Sequence, residues 1–126
     1  PGREVICFAG DGCFMMNGQE FATAVQYELP IIVIVVNNGI YGTIRMHQER
    51  EYPARVSGTE LSNPNFAELG AAFGGWTATA RTTEEFTTAL AEAQSRNGLR
   101  LIHMKIDVEQ LAASGATVSG LRSRGS

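Results

Sequence analysis

Asp11, set between Gly10 and Gly12, and Asn38, the second of two adjacent asparagines, are the residues of this chain best suited to chemistry. Between Gly12 and Asn37 lie the 24 residues 13–36. A carboxylate and an amide oxygen suit a hard cation such as Mg2+. Mg2+ in turn favours a phosphorylated ligand, because it completes its octahedron with phosphate oxygens and water. Gly10 and Gly12 would let the backbone come close to such a ligand, and the N–H groups of Gly12 and Cys13 could donate to its phosphate oxygens. The same residues also suit a tight turn, with glycine supplying positive φ and Asp forming the turn.

These side chains can meet only if the flanking elements bring them together. The apolar runs 5–9 and 31–36 show no polar alternation, so both read as buried strands of a parallel sheet. Parallel neighbours end at the same edge, and open α/β sheets bind ligands at that edge. Residues 18–28 read as a helix with Phe21, Ala24 and Val25 on one face, Asn17 as cap and Pro30 as terminator.

Residues 39–58 are charged and without a clear period, and read as a long irregular segment of functional or mobile character. A short helix follows, with Asn63 at the N-cap, Pro64 at the first helical position and Gly74 at the C-cap. Residues 76–81 read as a strand. Thr82 and Glu85 have capping-box spacing and open a helix to about residue 96, where Asn97-Gly98 stops it. The last strand falls within 99–107, and the Gly- and Ser-rich stretch from Ser114 reads as loose. This alternation predicts an α/β fold, a three-layer α/β/α arrangement on a mostly parallel sheet. One domain is expected over 1–112, with a flexible tail over 113–126.

Bulk properties narrow the function classes. With 126 residues the chain can bury one real core. A net charge of -3 offers nothing to nucleic acid or to an anionic membrane. No apolar run is long enough to span a bilayer, and Arg3 and Glu4 leading into a strand do not make a signal peptide. Cys7 reads as a small core residue. Cys13 has no basic neighbour to activate it, and two such cysteines make neither a disulfide framework nor a zinc site, so a cytoplasmic setting is expected.

Gly-Asp-Gly followed at this spacing by Asn-Asn resembles the fingerprint of thiamine-diphosphate enzymes. The run Gly10-Asp11-Gly12-Cys13-Phe14-Met15-Met16-Asn17-Gly18-Gln19-Glu20-Phe21 is similar to the diphosphate-side domain of their acetolactate-synthase-like group. So are Leu29-Pro30-Ile31-Ile32 and Asn37-Asn38-Gly39-Ile40-Tyr41-Gly42, and the likeness extends over about residues 3 to 108. The resemblance implies thiamine diphosphate and Mg2+ as cofactors. It implies Asp11, Asn38 and the main-chain carbonyl of Ile40 as metal ligands. It further implies Gly10, Gly12, Cys13, Tyr41, Gly42, Thr43 and Ile44 near the cofactor, and a structural role for Asn37.

The resemblance also implies a C-terminal piece of a longer homo-oligomeric enzyme. That enzyme would act on a 2-oxo acid by decarboxylation, carboligation or both. No catalytic residue is expected in this chain, because the Glu that activates the cofactor lies on an N-terminal domain in that group. Two departures refine the reading. Pyruvate-decarboxylase-like members place a Glu where Ile44 stands, and acetolactate synthases carry a Trp where His47 stands. The first argues against simple aldehyde release, the second against acetolactate synthase proper.

The alternatives are a thiamine-diphosphate lyase or transferase using an acyl-CoA or a sulfonate, or a non-catalytic module that kept the fold. A dinucleotide-binding domain lacks support, since no Gly-x-Gly-x-x-Gly follows the first strand. His47 reads as a solvated loop residue or a substrate-side polar group. His103 reads as structural and Glu20 as a capping or helix-face residue. Arg45 and Arg50 read as loop charges that could also meet a carboxylate or a CoA phosphate.

Overall fold

A computed structural model describes residues 2–112 and 115–123. The chain forms two compact units, one of residues up to 37 with 63–105, the other of 38–62 with the residues from 106 onward.

The first unit is the sheet unit. Its strands are β1 (Val5–Gly10), β2 (Ile31–Asn37), β3 (Trp76–Ala80) and β4 (Arg100–Lys105). They lie in the order β1-β2-β4-β3, and every pairing is parallel. The helices of this unit are α1 (Asp11–Asn17), α2 (Phe21–Gln26), α4 (Phe66–Ala72) and α5 (Thr83–Gln94). The expected alternation of strand and helix is therefore present.

Side-chain alternation along β2 and β4 builds two separate apolar layers. Val33, Val35 and Leu101 face Phe14, Phe21, Ala24 and Phe66 from α1, α2 and α4. Ile32, Ile34 and Ile102 face Ala89 and Ala93 of α5. Helices therefore cover both faces, the α/β/α layering expected of buried parallel strands. Gly70 lets α4 lie close to the sheet, since a Cβ there would stand 2.9 Å from Thr77 Cγ2.

Helix ends follow ordinary chemistry. Thr82 Oγ1 accepts from Glu85 N–H, while Glu85 reaches back to Arg81 N–H, close to the expected capping box. Gly98 ends the connection to β4 at a φ of 77°. Arg100 is buried and donates to the Ala93 and Arg96 carbonyls, which places a cation at the C-terminal end of α5.

Several expectations are corrected here. β1 is an edge strand, and Val5, Ile6 and Phe8 are exposed, so it is a strand but not a buried one. Cys7 is exposed and is not a core residue. The helix expected over 18–28 is divided: α1 starts directly at Asp11, a 3₁₀ turn spans Gly18–Glu20, and α2 follows. The Asn17 side chain makes no cap. α4 is capped by Asn65, whose Oδ1 accepts from Ala67 N–H, and not by Asn63. The glycine expected at its end occupies the left-handed region, with Gly74 at φ 85° one residue past the C-cap Phe73.

The second unit holds the segment that reads as irregular. It contains α3 (Gly42–Glu51) and α6 (Val118–Arg122), and an antiparallel bridge between Ile40 and Glu60 closes the chain on either side of α3. α3 escaped the sequence reading because its buried residues are Arg45 and Glu49, so it carries no apolar stripe. α6 lies where a loose tail is expected, and its Val118 and Leu121 join Ile40 and Leu111 in a small core. Residues 113, 114 and 124–126 of that tail lie outside the described residues.

Candidate functional site

β1 runs straight into α1, and Asp11 is the first residue of that helix. Gly10 is extended, at φ -65° and ψ 153°. Gly12 is not among the positive-φ glycines, so the tight-turn reading of Gly-Asp-Gly does not hold. A Cβ on Gly10 would meet nothing within 4 Å, so neither conformation nor crowding within the described chain demands a glycine there.

Asp11 is 3% exposed. Its Oδ1 accepts from Gly12 N–H at 3.0 Å, so this amide, expected to face phosphate, is turned to the carboxylate. Its Oδ2 accepts from Asn63 Nδ2 at 2.7 Å. The same Asn63 nitrogen donates to Asn37 Oδ1 at 3.1 Å, and Asn37 Nδ2 donates to His103 Nε2 at 2.9 Å.

The register explains this grouping. Gly10 pairs with Val36, so Asp11 and Asn37 leave the sheet at one edge, while His103 on β4 pairs with Val35. Asn37 and His103 share the sheet face that carries Val33, Val35 and Leu101, by the two-residue alternation of strands.

His103 is fully buried and lies edge-to-face with Phe66, ring centroids 5.2 Å apart. Burial first, then the nearby Lys105 and Arg81, hold its imidazole below the usual histidine range against an opposing pull from Asp11. It is thus a neutral ring. With Nε2 accepting from Asn37, the proton belongs on Nδ1, which has no hydrogen-bond acceptor among the described residues. Histidine as a structural residue was expected; its membership of a polar chain reaching Asp11 was not. Asn63 was missed altogether, because Asn before Pro reads as a helix cap.

In the second unit, Asn38 Oδ1 accepts from Ile40 N–H at 3.2 Å, and its Nδ2 donates to the Gln110 carbonyl at 3.0 Å. The Ile40–Glu60 bridge uses Tyr41 N–H to Thr59 and Leu61 N–H to Gly39, so the Ile40 carbonyl takes no part in it. Gly42 sits in close approach: a Cβ would lie 3.3 Å from Asn38 Nδ2 and 3.3 Å from the Leu111 carbonyl, so a neighbour would have to give. Tyr41 and Gly42 are half-buried, whereas Thr43, Ile44 and His47 on α3 are exposed.

Beside them lies a cleft of about 370 Å³ lined by Ile40, Leu61, Val108, Arg45, Glu60 and Arg122 among others. Of the residues expected near a cofactor, only Ile40 lines it.

Arg45 does not behave as a loop charge. Its Nε donates to Glu49 Oε1 at 2.8 Å, and Arg122 donates to both oxygens of the same carboxylate at 2.9 and 3.0 Å. Ala54 N–H adds a fourth donor to it. The Arg122 hydrogen bonds, with Ala54 N–H and Arg45, hold Glu49 down to about 2 despite its burial. Among the described residues no three His, Cys, Asp or Glu side chains gather into a metal cluster. A carboxylate, an amide oxygen and a main-chain carbonyl are each hard oxygens of the type Mg2+ takes.

The parallel sheet, the strand-to-helix junction at Asp11 and the Asn pair ending β2 define a cofactor-binding α/β domain. Residues 1–104 match the family described as thiamine pyrophosphate enzyme, C-terminal TPP binding domain, and the chain belongs to that family.

It is 37% identical over 111 residues to the acetolactate synthase isozyme 1 large subunit of Escherichia coli (strain K12), covering 87% of this chain and 20% of that protein. It is 35% identical over 109 residues to the acetolactate synthase large subunit of Haemophilus influenzae, covering 85% and 19%. Among solved structures it is similar to the thiamine diphosphate-dependent 4-hydroxybenzoylformate decarboxylase of Rhodococcus jostii RHA1, with a TM-score of 0.79, 29% identity and coverage of 85% and 20%. Benzoylformate decarboxylase from Polynucleobacter necessarius gives a TM-score of 0.78 at 32% identity, with coverage of 85% and 20%. The chain spans about a fifth of the length of these relatives. No helix among the described residues is long and apolar enough to cross a membrane.

Proposed function

We propose that this domain anchors the diphosphate of thiamine diphosphate through Mg2+, with Asp11, Asn38 and the Ile40 carbonyl as protein ligands. The observation that carries the reading is Asp11. It is a buried carboxylate in the first turn of α1, directly after β1 and between the two glycines of Gly10-Asp11-Gly12, beside a Gly10 that leaves open space. Gly10, Gly12, Cys13, Tyr41, Gly42, Thr43 and Ile44 are assigned to the cofactor's surroundings on the family likeness. Gly12 N–H serves Asp11 in this arrangement, which leaves Cys13 N–H, in the first turn of α1, as the better phosphate donor.

When bound, thiamine diphosphate supplies the electron sink for breaking a C–C bond beside a carbonyl. The residues of this chain bind and orient. Asp11 and Asn38 present hard oxygens, Gly10 admits a close neighbour, and Gly42 lets the Asn38 amide seat against the main chain.

The parent protein is read as a homo-oligomer acting on a 2-oxo acid. The named activities of its relatives, acetolactate synthases and benzoylformate decarboxylases, support the substrate class. Two free, exposed cysteines support a reducing cytoplasm.

Calorimetric titration of thiamine diphosphate into the full-length protein, with and without Mg2+, tests the anchor. Binding that needs Mg2+ in the wild type and disappears in Asp11→Ala is the expected result. Binding of equal strength with and without Mg2+, or unaffected by Asp11→Ala, would overturn it.

A further inference from the structure

We propose that Asn63 is a positioning residue for the Asp11 carboxylate, and that it sets the affinity of the metal Asp11 holds. The inference rests on the reading of Asp11 as a Mg2+ ligand.

The chain Asp11–Asn63–Asn37–His103 has one direction only. A carboxylate accepts and cannot donate, so the face of Asn63 turned to Asp11 Oδ2 must be its NH₂ group. That nitrogen has two hydrogens, and the second goes to Asn37 Oδ1. Asn37 then turns its own NH₂ to His103, whose Nε2 must accept. Both amide orientations and the histidine tautomer follow from the charge on a single residue. Reversing Asn63 would set acceptor against acceptor, and reversing Asn37 or the His103 tautomer would set donor against donor.

Asn63 is also held at both ends. Pro64 biases the backbone of the residue before it toward extended conformations, which narrows the states Asn63 must give up on folding. Asn65 then caps α4, and Phe66 of α4 packs edge-to-face on Phe14 of α1, centroids 5.4 Å apart. Phe14 is in the helix that begins with Asp11, so donor and acceptor ride on two elements locked by buried rings.

The consequence is local. Gly12 N–H holds Oδ1 and Asn63 holds Oδ2, so the carboxylate cannot rotate about its χ2 bond without losing a hydrogen bond. Partners of this kind, once removed, cost metal affinity roughly 10- to 100-fold in other sites.

The test is Mg2+ titration into the full-length protein at saturating thiamine diphosphate, read by calorimetry, for wild type, Asp11→Ala and Asn63→Leu. The unfolding midpoint of each metal-free protein is recorded alongside. Leu keeps the branched shape of Asn and removes its donors. The expected result is a Mg2+ Kd raised roughly 10- to 100-fold in Asn63→Leu, with complete loss of Mg2+ binding in Asp11→Ala. A lowered metal-free midpoint with an unchanged Kd would show Asn63 to be merely structural and overturn the proposal. An unchanged Kd in Asn63→Leu with loss in Asp11→Ala sinks the role of Asn63 and leaves the metal reading standing. Retained binding in Asp11→Ala sinks both. Should Asn63→Leu not fold, Asn63→Ala removes the donor without added bulk, and a Kd equal to wild type there likewise overturns the proposal.

Discussion

The two units of this chain solve the burial of polar groups in opposite ways. In the sheet unit, one carboxylate is satisfied by neutral groups, an amide of the main chain and then a line of two asparagines and a neutral histidine. In the second unit, one carboxylate is satisfied by two guanidinium groups and a main-chain amide. The donors named for Asp11 are neutral groups, whereas Glu49 is held by two arginines. A buried carboxylate can thus be seated by hydrogen bonds from neutral donors or by ion pairs.

Removing the Glu49 carboxylate is the most severe test of that contrast. Glu49→Ala leaves the buried Arg45 without its ion partner, and breaking a buried pair in this way costs about 3 to 5 kcal/mol. Hydrogen exchange is expected to show loss of protection in α3 and α6 while β2 and β4 keep theirs. Equal loss in both units would erase the contrast.

Acid titration sharpens it. Glu49 titrates at about 2 in the folded protein against 4.5 for the free side chain. A depressed carboxylate contributes stability that is full above about 4.5 and is lost as pH falls toward about 2. The expected loss over that window is about 3 kcal/mol, read as a fall in the denaturant midpoint. In Glu49→Gln the same window should be nearly flat. His103 adds to the slope at higher pH: its lowered value means the unfolded chain takes up a proton first, so stability begins to fall below about 6.5.

The smallest expected effect lies in the sheet unit and away from both carboxylates. Thr82→Ala removes the oxygen that caps α5 and should cost about 1 kcal/mol by urea unfolding. A larger cost would mean that α5 contributes more than its two buried alanines indicate.

What could be read beforehand follows the same division. β2 was legible because a continuous apolar run without polar alternation suits a strand buried on both faces, and α5 because its start and stop carry short-range signals. The Thr82–Glu85 box was legible because a cap is a short-range bond between residues three apart. α3 was not, since its buried face is an Arg and a Glu, and hydropathy scores these as solvent-facing. Asn63 was misread for a related reason. Its local signal, Asn before Pro, fits a cap, while its real partners lie 26 and 52 positions away in Asn37 and Asp11.

The amino-acid sequence by itself determined the α/β class, the mostly parallel sheet and the family, because these rest on the alternation of strand and helix signals and on a motif whose spacing survives in one dimension. Only the tertiary structure decided that β1 is an edge, that Asn65 and not Asn63 caps α4, and that Asn63 faces Asp11. Each of these depends on which distant group occupies the last available hydrogen bond or apolar surface, and that competition is settled only when the chain has folded.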